Sequence, residues 1–577
     1  MHRTPSSGII LTLLLVGMLT SVFDVQSARD GFAVYIRSDG SIYPQTAPIV
    51  REGDLYTLTG NIFGDPDGIN IERNHMTLDG AGYTLQGNEY RVGLNLYERN
   101  NVTIKNLKIE AFSIGLDLVG SSGNIISGNN ITNNGSWGIF LFLSSNNTLR
   151  NNDVSDNRYN FAFSGWSLTQ YIQDIDNSNT VNGKPVYYWV NRRDMAVPLD
   201  AGWVGLVNCT NITVENLNLK NNLKGVLLVS TTNSTITKNE ITNNGYGIML
   251  ELSSSDNAIS GNSITNNGDG IWVDESSNHN TISGNNMTEN GGSGISLQRS
   301  SNNVVYGNNM KNNGYGISLE ASSNNNTVSG NSIANNSCGI HLRYSSNNTL
   351  RNNDARNNEC NFCILGDSLS DFVQDIDDSN IVDGKSVRYW VNKRDMAVPL
   401  DAGFVTLVNC TGITVKSLRL TNNRPSILLA FTTNSTIINN NITNSEPGIS
   451  IHSSNHNSIY HNSFTAEYES VYSRNATNTW DNGYPSGGNY WSNHPRVDNY
   501  YGINQDKLGS DGITDEPYII DATNQDNYPL MEPWTELSWW DIYGTMVAVV
   551  LVLVSVAFAG TAALVLLYVK RFKPETR

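Results

Sequence analysis

The sequence predicts an all-β chain wound as a right-handed parallel β-helix, with coils of 22–24 residues stacked strand on strand. Three observations predict it. Gly-Ile or a close relative recurs at Gly115, Gly138, Gly225, Gly247, Gly270, Gly294, Gly316, Gly339 and Gly448, in steps of 22 to 24 residues within runs. Inside a unit such as YGIMLELSSSDNAISGNSITNN, Tyr246 to Asn267, apolar residues alternate over three-residue snatches divided by Ser/Asn and Gly-Asn turns. That is the two-residue period of strands. Charged residues are only 15% of the chain, and Asn, about one residue in seven, takes much of their place.

Each snatch is too short to hold a core alone, so coils must stack. Leucine-rich repeats share the length but need a Leu-rich consensus with a helical half, which is absent. Parallel crossovers are right-handed in nearly every known case, which sets the hand. Paired Asn residues suit the corners. One amide tolerates the left-handed backbone of a sharp bend, and identical amides one coil apart can form a hydrogen-bonded ladder.

The 577 residues exceed one compact core. A net charge of −17 and a pI near 4.9 argue against a nucleic-acid partner, which needs a basic stripe. Residues 1–28 read as a signal peptide, with Arg3 ahead of the apolar run Ile9–Leu19 and small residues at Ser27 and Ala28. Residues 29–110 are expected to form an N-terminal cap and first coils, and 111–473 the β-helix proper. Residues 474–536 read as a polar, aromatic-rich module capping the open strand edge. Residues 544–569 are long and apolar enough for one transmembrane helix, flanked by Trp539, Trp540 and Tyr543 and followed by Lys570, Arg571 and Lys573. This pattern puts 570–577 in the cytoplasm and the body outside the cell.

Ile139–Asn243 is repeated as Ile340–Asn444, offset by 201 positions. Each copy interrupts the Gly-Ile rhythm, near 166–206 and 367–407, and is expected to push a ledge out of the solenoid. The coils, the ledge sequences NGKPVYYWVN and DGKSVRYWVN, and WDNGYPSGGNYWSNH with DGITDEPY together resemble the NosD-type branch of the pectin-lyase-like β-helix superfamily. The likeness is to surface-anchored archaeal members. The resemblance implies the fold; relatives of that fold bind or cleave polysaccharides, and the family name comes from copper delivery. Copper is not carried over, because clustered Met or His is missing.

In Gly-Ile-x-Leu-x the two x positions should point outward. They read Met249/Glu251, Trp272/Asp274, Ser296/Gln298, Ser318/Glu320 and His341/Arg343. Glu251, Trp272, Asp274, Gln298 and Glu320 form a candidate binding column for a sugar chain or Ca²⁺. Asp274 and Glu320 are the best carboxylates for acid/base work. The competing reading is a solvated face that keeps the solenoid soluble. The ledges offer Trp189 and Trp390 for stacking on carbohydrate, against a reading in which they pack the ledge down. Asp506, Asp511 and Asp515 resemble a calcium loop without its terminal Glu.

Cys338 and Cys360 lie one coil apart, so stacking puts their Cα atoms about 4.8 Å apart, within disulfide reach. His341 and Cys363 stack likewise, giving a CxxH…CxxC pattern. A three-residue step on a regular strand changes face, so the four side chains are expected not to converge on a metal. Cys209 and Cys410 read as buried fillers. Sequons at Asn101, Asn134, Asn286 and Asn475 are candidate glycan sites. The functional expectation is a cell-surface, membrane-anchored β-helix that binds or displays polysaccharide or a surface protein. The alternatives are a polysaccharide lyase or hydrolase and NosD-like metal handling; calcium is the only cofactor in view.

Overall fold

The computed structural model describes residues 33–64, 67–465 and 469–534, with 559, 561–563, 565 and 566 beyond them. The chain divides into two compact units, 1–387 and 388–577. Both are parallel β-solenoids, and each regular coil supplies one long strand and two three-residue strands to three separate sheets. In the unit quoted above these are Tyr246–Glu251, Ala258–Ser260 and Ser263–Thr265. Each pairs in parallel with its equivalents in the neighbouring coils.

The core is the inward column of each strand, represented by Ile248, Ile259 and Ile264, all fully buried. The Gly of Gly-Ile is dictated by the next coil. A Cβ on Gly247 would lie 2.6 Å from both the Gly270 carbonyl oxygen and Ile264 Cγ2, closer than any side chain could sit.

The Asn pairs divide the labour at the corners. The first residue of each pair takes the left-handed bend, as Asn243 (φ 57°), Asn266 (φ 56°) and Asn312 (φ 58°) do; Gly261, Gly284 and Gly307 play the same part in the Gly-Asn corners. The second residue turns inward and stacks. Asn239, Asn262, Asn285, Asn308, Asn331 and Asn353 form one buried ladder. At each step Nδ2 donates to the next Oδ1 at 2.9–3.1 Å. The same Oδ1 accepts the backbone N–H of the previous Asn, and Nδ2 also reaches a carbonyl of an earlier coil, as from Asn262 to Ile236 at 2.9 Å. Two further ladders start at Asn257 and Asn244.

The duplicated insert is more integrated than a ledge. After a one-turn helix at Leu168–Tyr171, Asp174–Ile175 and Thr180–Val181 rejoin the short-strand sheets. An antiparallel hairpin then leads into Lys184–Val190, which pairs in parallel with Trp203–Val207. Later long strands thereby stack on the sheet side that carried short strands before the insert.

In the second unit the Asn440–Asn462 ladder runs on to Asn489, and Tyr490–Trp491 adds to the strand Ser463–Thr465. Trp491 stacks between Phe464 at 4.5 Å and Tyr518 at 4.2 Å. The C-terminal module thus continues the last coil. The expected signal peptide at 1–28 lies outside the described residues, as does the expected membrane helix at 544–569 apart from 559, 561–563, 565 and 566, which are helical. No helix among the described residues is long and apolar enough to cross a membrane.

Replacing one rung tests the ladder. Asn285→Ala strands the Asn262 amide donors and the Ile259 carbonyl, at about 1–3 kcal/mol for each group left unsatisfied. Urea unfolding followed by circular dichroism should show a loss above about 2 kcal/mol. Asn266→Gly, at a bend glycine also favours, should change stability by less than about 1 kcal/mol.

Candidate functional site

The outer face of the long-strand sheet in the first unit is the richest chemical surface of the chain. Its geometry turns on the Gly of each strand. Pairing runs Tyr315 to Cys338 and then Ile317 to Ile340, skipping the Gly between. This break in alternation places the residue before Gly on the same face as the residue two after it. Trp137 and Phe140, flanking Gly138, stack at 4.5 Å, and Tyr315 meets His341 of the next coil at 5.2 Å. The outer face therefore carries three columns rather than the two expected. The added one includes Lys224, Tyr246, Asp269, Ser293, Tyr315 and Cys338.

The register of the expected columns is as read: Met249 pairs with Trp272, Trp272 with Ser296, Ser296 with Ser318, and Gln298 with Glu320. Their environment is not. Glu251, Asp274 and Glu320 are only 5%, 7% and 7% exposed, rather than solvated. Each is held by partners from the added column or from other segments. Lys224 Nζ lies 2.8 Å from Glu251 Oε1 in a buried pair, and Lys224 also sits over the Tyr171 ring at 5.5 Å. Asp274 binds Arg299 at 2.8 Å, accepts the Glu275 amide at 2.7 Å, and lies 3.5 Å from Trp272 Nε1. Glu320 accepts from Ser318 Oγ at 2.8 Å and lies 3.4 Å from His341 Nδ1. Gln298 and Trp272 are half-buried, and Trp272 meets Tyr246 edge-on at 5.6 Å.

These surroundings push the acids apart. Burial raises Asp274 above the usual carboxylate range despite Arg299. Burial also pushes Asp269 up to about 6, opposed by its hydrogen bond from the Ser293 amide. Glu320 is lowered: burial would raise it, but His341, Ser318 and Arg343 outweigh that.

The four residues of CxxH…CxxC do share a face, contrary to the expectation from strand alternation. The Gly339 break brings Cys338 onto the side of His341, and Asn361 replaces Gly in the next coil between Cys360 and Cys363. Cys338 and Cys360 are paired in register as expected. They are thiols rather than a disulfide, with their sulfurs 3.8 Å apart.

The other expected sites separate. Trp189 and Trp390 are half-buried. Trp189 meets Tyr187 edge-on at 6.1 Å, and Trp390 packs against the core of the second unit. Beside Trp189, Tyr188 is buried against Phe163 and Trp203. The ion pairs of the insert run from Arg150 to Asp174 and Asp176, and in the copy from Arg351 to Asp375 and Asp377. Asp511 accepts from the Gly502 and Ile513 amides and Asp515 from those of Asn499 and Tyr500, so both close turns, while Asp506 is exposed. Among the described residues no group of three or more His, Cys, Asp or Glu is arranged to hold a metal ion.

Cys209 and Cys410 are buried as expected, donating to the Trp189 and Trp390 carbonyls. Asn101, Asn286 and Asn475 are exposed. Asn134 is not a glycan site in the folded chain: it is 2% exposed and its amide is a ladder rung bonded to Asn157. Sequence reasoning missed Lys224, Asp269 and Arg299. Lys224 and Asp269 precede the Gly of each strand, so aligning one residue further upstream would have exposed that column.

The periplasmic alginate epimerase AlgG is 15% identical, with a TM-score of 0.28 over 58% of this chain and 79% of that one. A tailspike protein mutant of E. coli bacteriophage HK620, solved with a pentasaccharide, is 11% identical, with a TM-score of 0.27 over 74% of this chain and 73% of that one. The A-module of Azotobacter vinelandii mannuronan C-5 epimerase AlgE6 is 14% identical, with a TM-score of 0.25 over 71% and 91%. No curated protein sequence matches. The family model "Right handed beta helix region" matches residues 33–189. The model "Periplasmic copper-binding protein (NosD)" matches 207–388 and 321–496, together half of the chain, and the chain belongs to the NosD family.

Proposed function

We propose that this chain is a polysaccharide-binding β-helix whose ligand lies along the outer face of the long-strand sheet between Tyr246 and Arg343. The supporting observation is the juxtaposition at Trp272. A half-buried indole, backed edge-on by Tyr246, stands beside an Asp274 carboxylate fixed by Arg299. A sugar ring offers an apolar face and a rim of hydroxyls, and an aromatic platform flanked by preset polar groups complements both. In this reading the apolar segment 544–569 holds the body at the cell surface, where a long repetitive face can engage a long repetitive polymer.

A second reading, turnover of the bound chain, is favoured by the divergent acids on that face. Asp269 and Asp274 are raised while Glu320 is lowered, the division that acid and base roles require. Asp274 and Glu320 would carry the proton transfers, as general acid and general base respectively.

The family description names copper. Three thiols and an imidazole are donors suited to it, but among the described residues no group of three or more His, Cys, Asp or Glu has the arrangement of a metal site. The residues present do not fit a bound copper ion, and no copper step is assigned.

A fragment spanning about residues 29–537 should be incubated with a panel of polysaccharides and read by mass spectrometry for retained glycan and for new chain ends. Retention of intact glycan is expected, weakened at least tenfold by Trp272→Ala. Undiminished retention by that variant overturns the binding face, and shortened or unsaturated chains establish the second reading. A pH prediction accompanies it. Asp269 titrates near 6 when folded and near 4 when unfolded, so the folded state holds the extra proton between those values. The contribution of Asp269 to stability should fall as pH rises from about 4 to about 6 and level off above. Asp269→Asn should flatten that slope in urea titrations at each pH.

A further inference from the structure

We propose that Cys338, Cys360 and Cys363, with His341, form a thiol–disulfide exchange centre on the outer face of the solenoid. The substrate class is a disulfide, either of a small thiol or exposed on a protein. The argument begins with geometry. Two successive strands present two side chains each: Cys338 and His341 on Cys338–Arg343, Cys360 and Cys363 on Cys360–Leu365. Register pairs Cys338 with Cys360 and His341 with Cys363. The stacked pair Trp137/Phe140, at the equivalent positions of the first copy, shows that residues so spaced meet across the intervening Gly. The four groups therefore form a square of side chains, and the Cys338 and Cys360 sulfurs are already 3.8 Å apart.

The three thiols differ in the way an exchange centre needs. Cys338 and Cys360 are buried, whereas Cys363 is partly exposed. The neighbouring Cys338 and Cys360 thiols, with His341 beside it, hold Cys363 well below the ordinary thiol range. Cys338 is correspondingly raised. Burial alone would lower His341, but the Cys363 thiolate and Glu320 raise it to about 9, so it is an imidazolium near neutral pH. Behind it, Glu320 and Ser318 hold the Nδ1 side at 3.4 and 3.1 Å, and Arg343 lies 3.8 Å from Glu320. A thiolate stabilised in this way, with neutral thiols at its side, is the reactive form of cysteine.

The steps balance. The Cys363 thiolate attacks one sulfur of a disulfide R–S–S–R′; the S–S bond breaks, and R′S⁻ leaves and takes a proton to become R′SH. Cys360 gives up its proton and attacks the R-side sulfur of this mixed disulfide, taking over the R–S group and releasing the Cys363 thiolate beside His341. Cys338 in turn loses its proton and attacks Cys360 Sγ, expelling RS⁻, which is protonated to RSH, and leaving a Cys338–Cys360 disulfide. Two protein thiols are oxidised and one external disulfide is reduced to two thiols. The final bond spans adjacent parallel strands about 4.8 Å apart, within the disulfide range. Cys209 and Cys410, both raised by burial, serve as internal controls.

The test uses the reduced folded chain and glutathione disulfide. Alkylation after denaturation, followed by intact mass, should fall from five thiols to three, and peptide mapping should place the new bond at Cys338–Cys360. Iodoacetamide labelling of the reduced protein should modify Cys363 first, with a pH midpoint below that of an ordinary thiol, and His341→Gln should raise that midpoint. Cys363→Ser should slow oxidation at least tenfold. Oxidation of Cys363→Ser at the wild-type rate, or labelling of Cys363 no faster than of Cys209 in the folded wild-type chain, overturns the proposal. The labelling arm needs no variant, so it decides the matter even if Cys363→Ser fails to fold.

Discussion

The buried amide ladder is the interaction on which the rest of the solenoid depends. A coil that turns corners must interrupt its sheets at each one, leaving backbone donors and acceptors inside with no strand partner. An Asn side chain carries the same donor and acceptor as a peptide, so a column of Asn acts as an extra strand threaded through the corner. A rung such as Asn262 meets both neighbours and an earlier carbonyl, which explains how so many polar side chains are buried with partners. The ladder also fixes coil height. Identical amides bond only when successive corners are one strand spacing apart, so it enforces the register that the apolar columns tolerate but do not dictate.

That enforced register is what makes the outer face chemically legible. Because the break recurs from coil to coil, at Gly or, in Tyr159–Ser164 and Cys360–Leu365, at Asn, three outward residues per coil arrive at fixed heights and a fixed lateral order. Ion pairs such as Lys224–Glu251 and Asp274–Arg299 then form between coils rather than within them. Removing one partner of the buried pair would leave an uncompensated charge, more costly than the pair is stabilising.

The coil, its hand and the role of Asn were readable because they follow from periodicity and from what an amide can bond. Two things were not. Strict alternation predicts that Cys338 and His341 point apart, and it fails because Gly339 lets the strand slip one residue out of phase; a period-two template has no place for that slip. Solvent exposure was also misjudged. Glu251 and Glu320 sit outward as expected, yet partners 21 to 27 residues away in sequence bury them, and distances of that kind appear only once coils are stacked. Asn134 shows the same limit: its sequon is intact, but its place in the corner makes it a rung.

The internal duplication separates scaffold from chemistry. In the first copy, Trp137, Phe140, Tyr159 and Ala162 occupy the square that Cys338, His341, Cys360 and Cys363 fill in the second. The inward neighbours remain apolar in both, with Ile139 and Phe161 answered by Ile340 and Phe362. The ladder continues beneath each, from Asn134 to Asn157 and from Asn336 to Asn358. The core and corners therefore set the fold without reading the outer columns, and those columns can exchange stacked rings for thiols and an imidazole at no cost to the coil. Membership of the family follows from the first set of residues and activity from the second, so two copies of one sequence can carry different chemistry on the same frame.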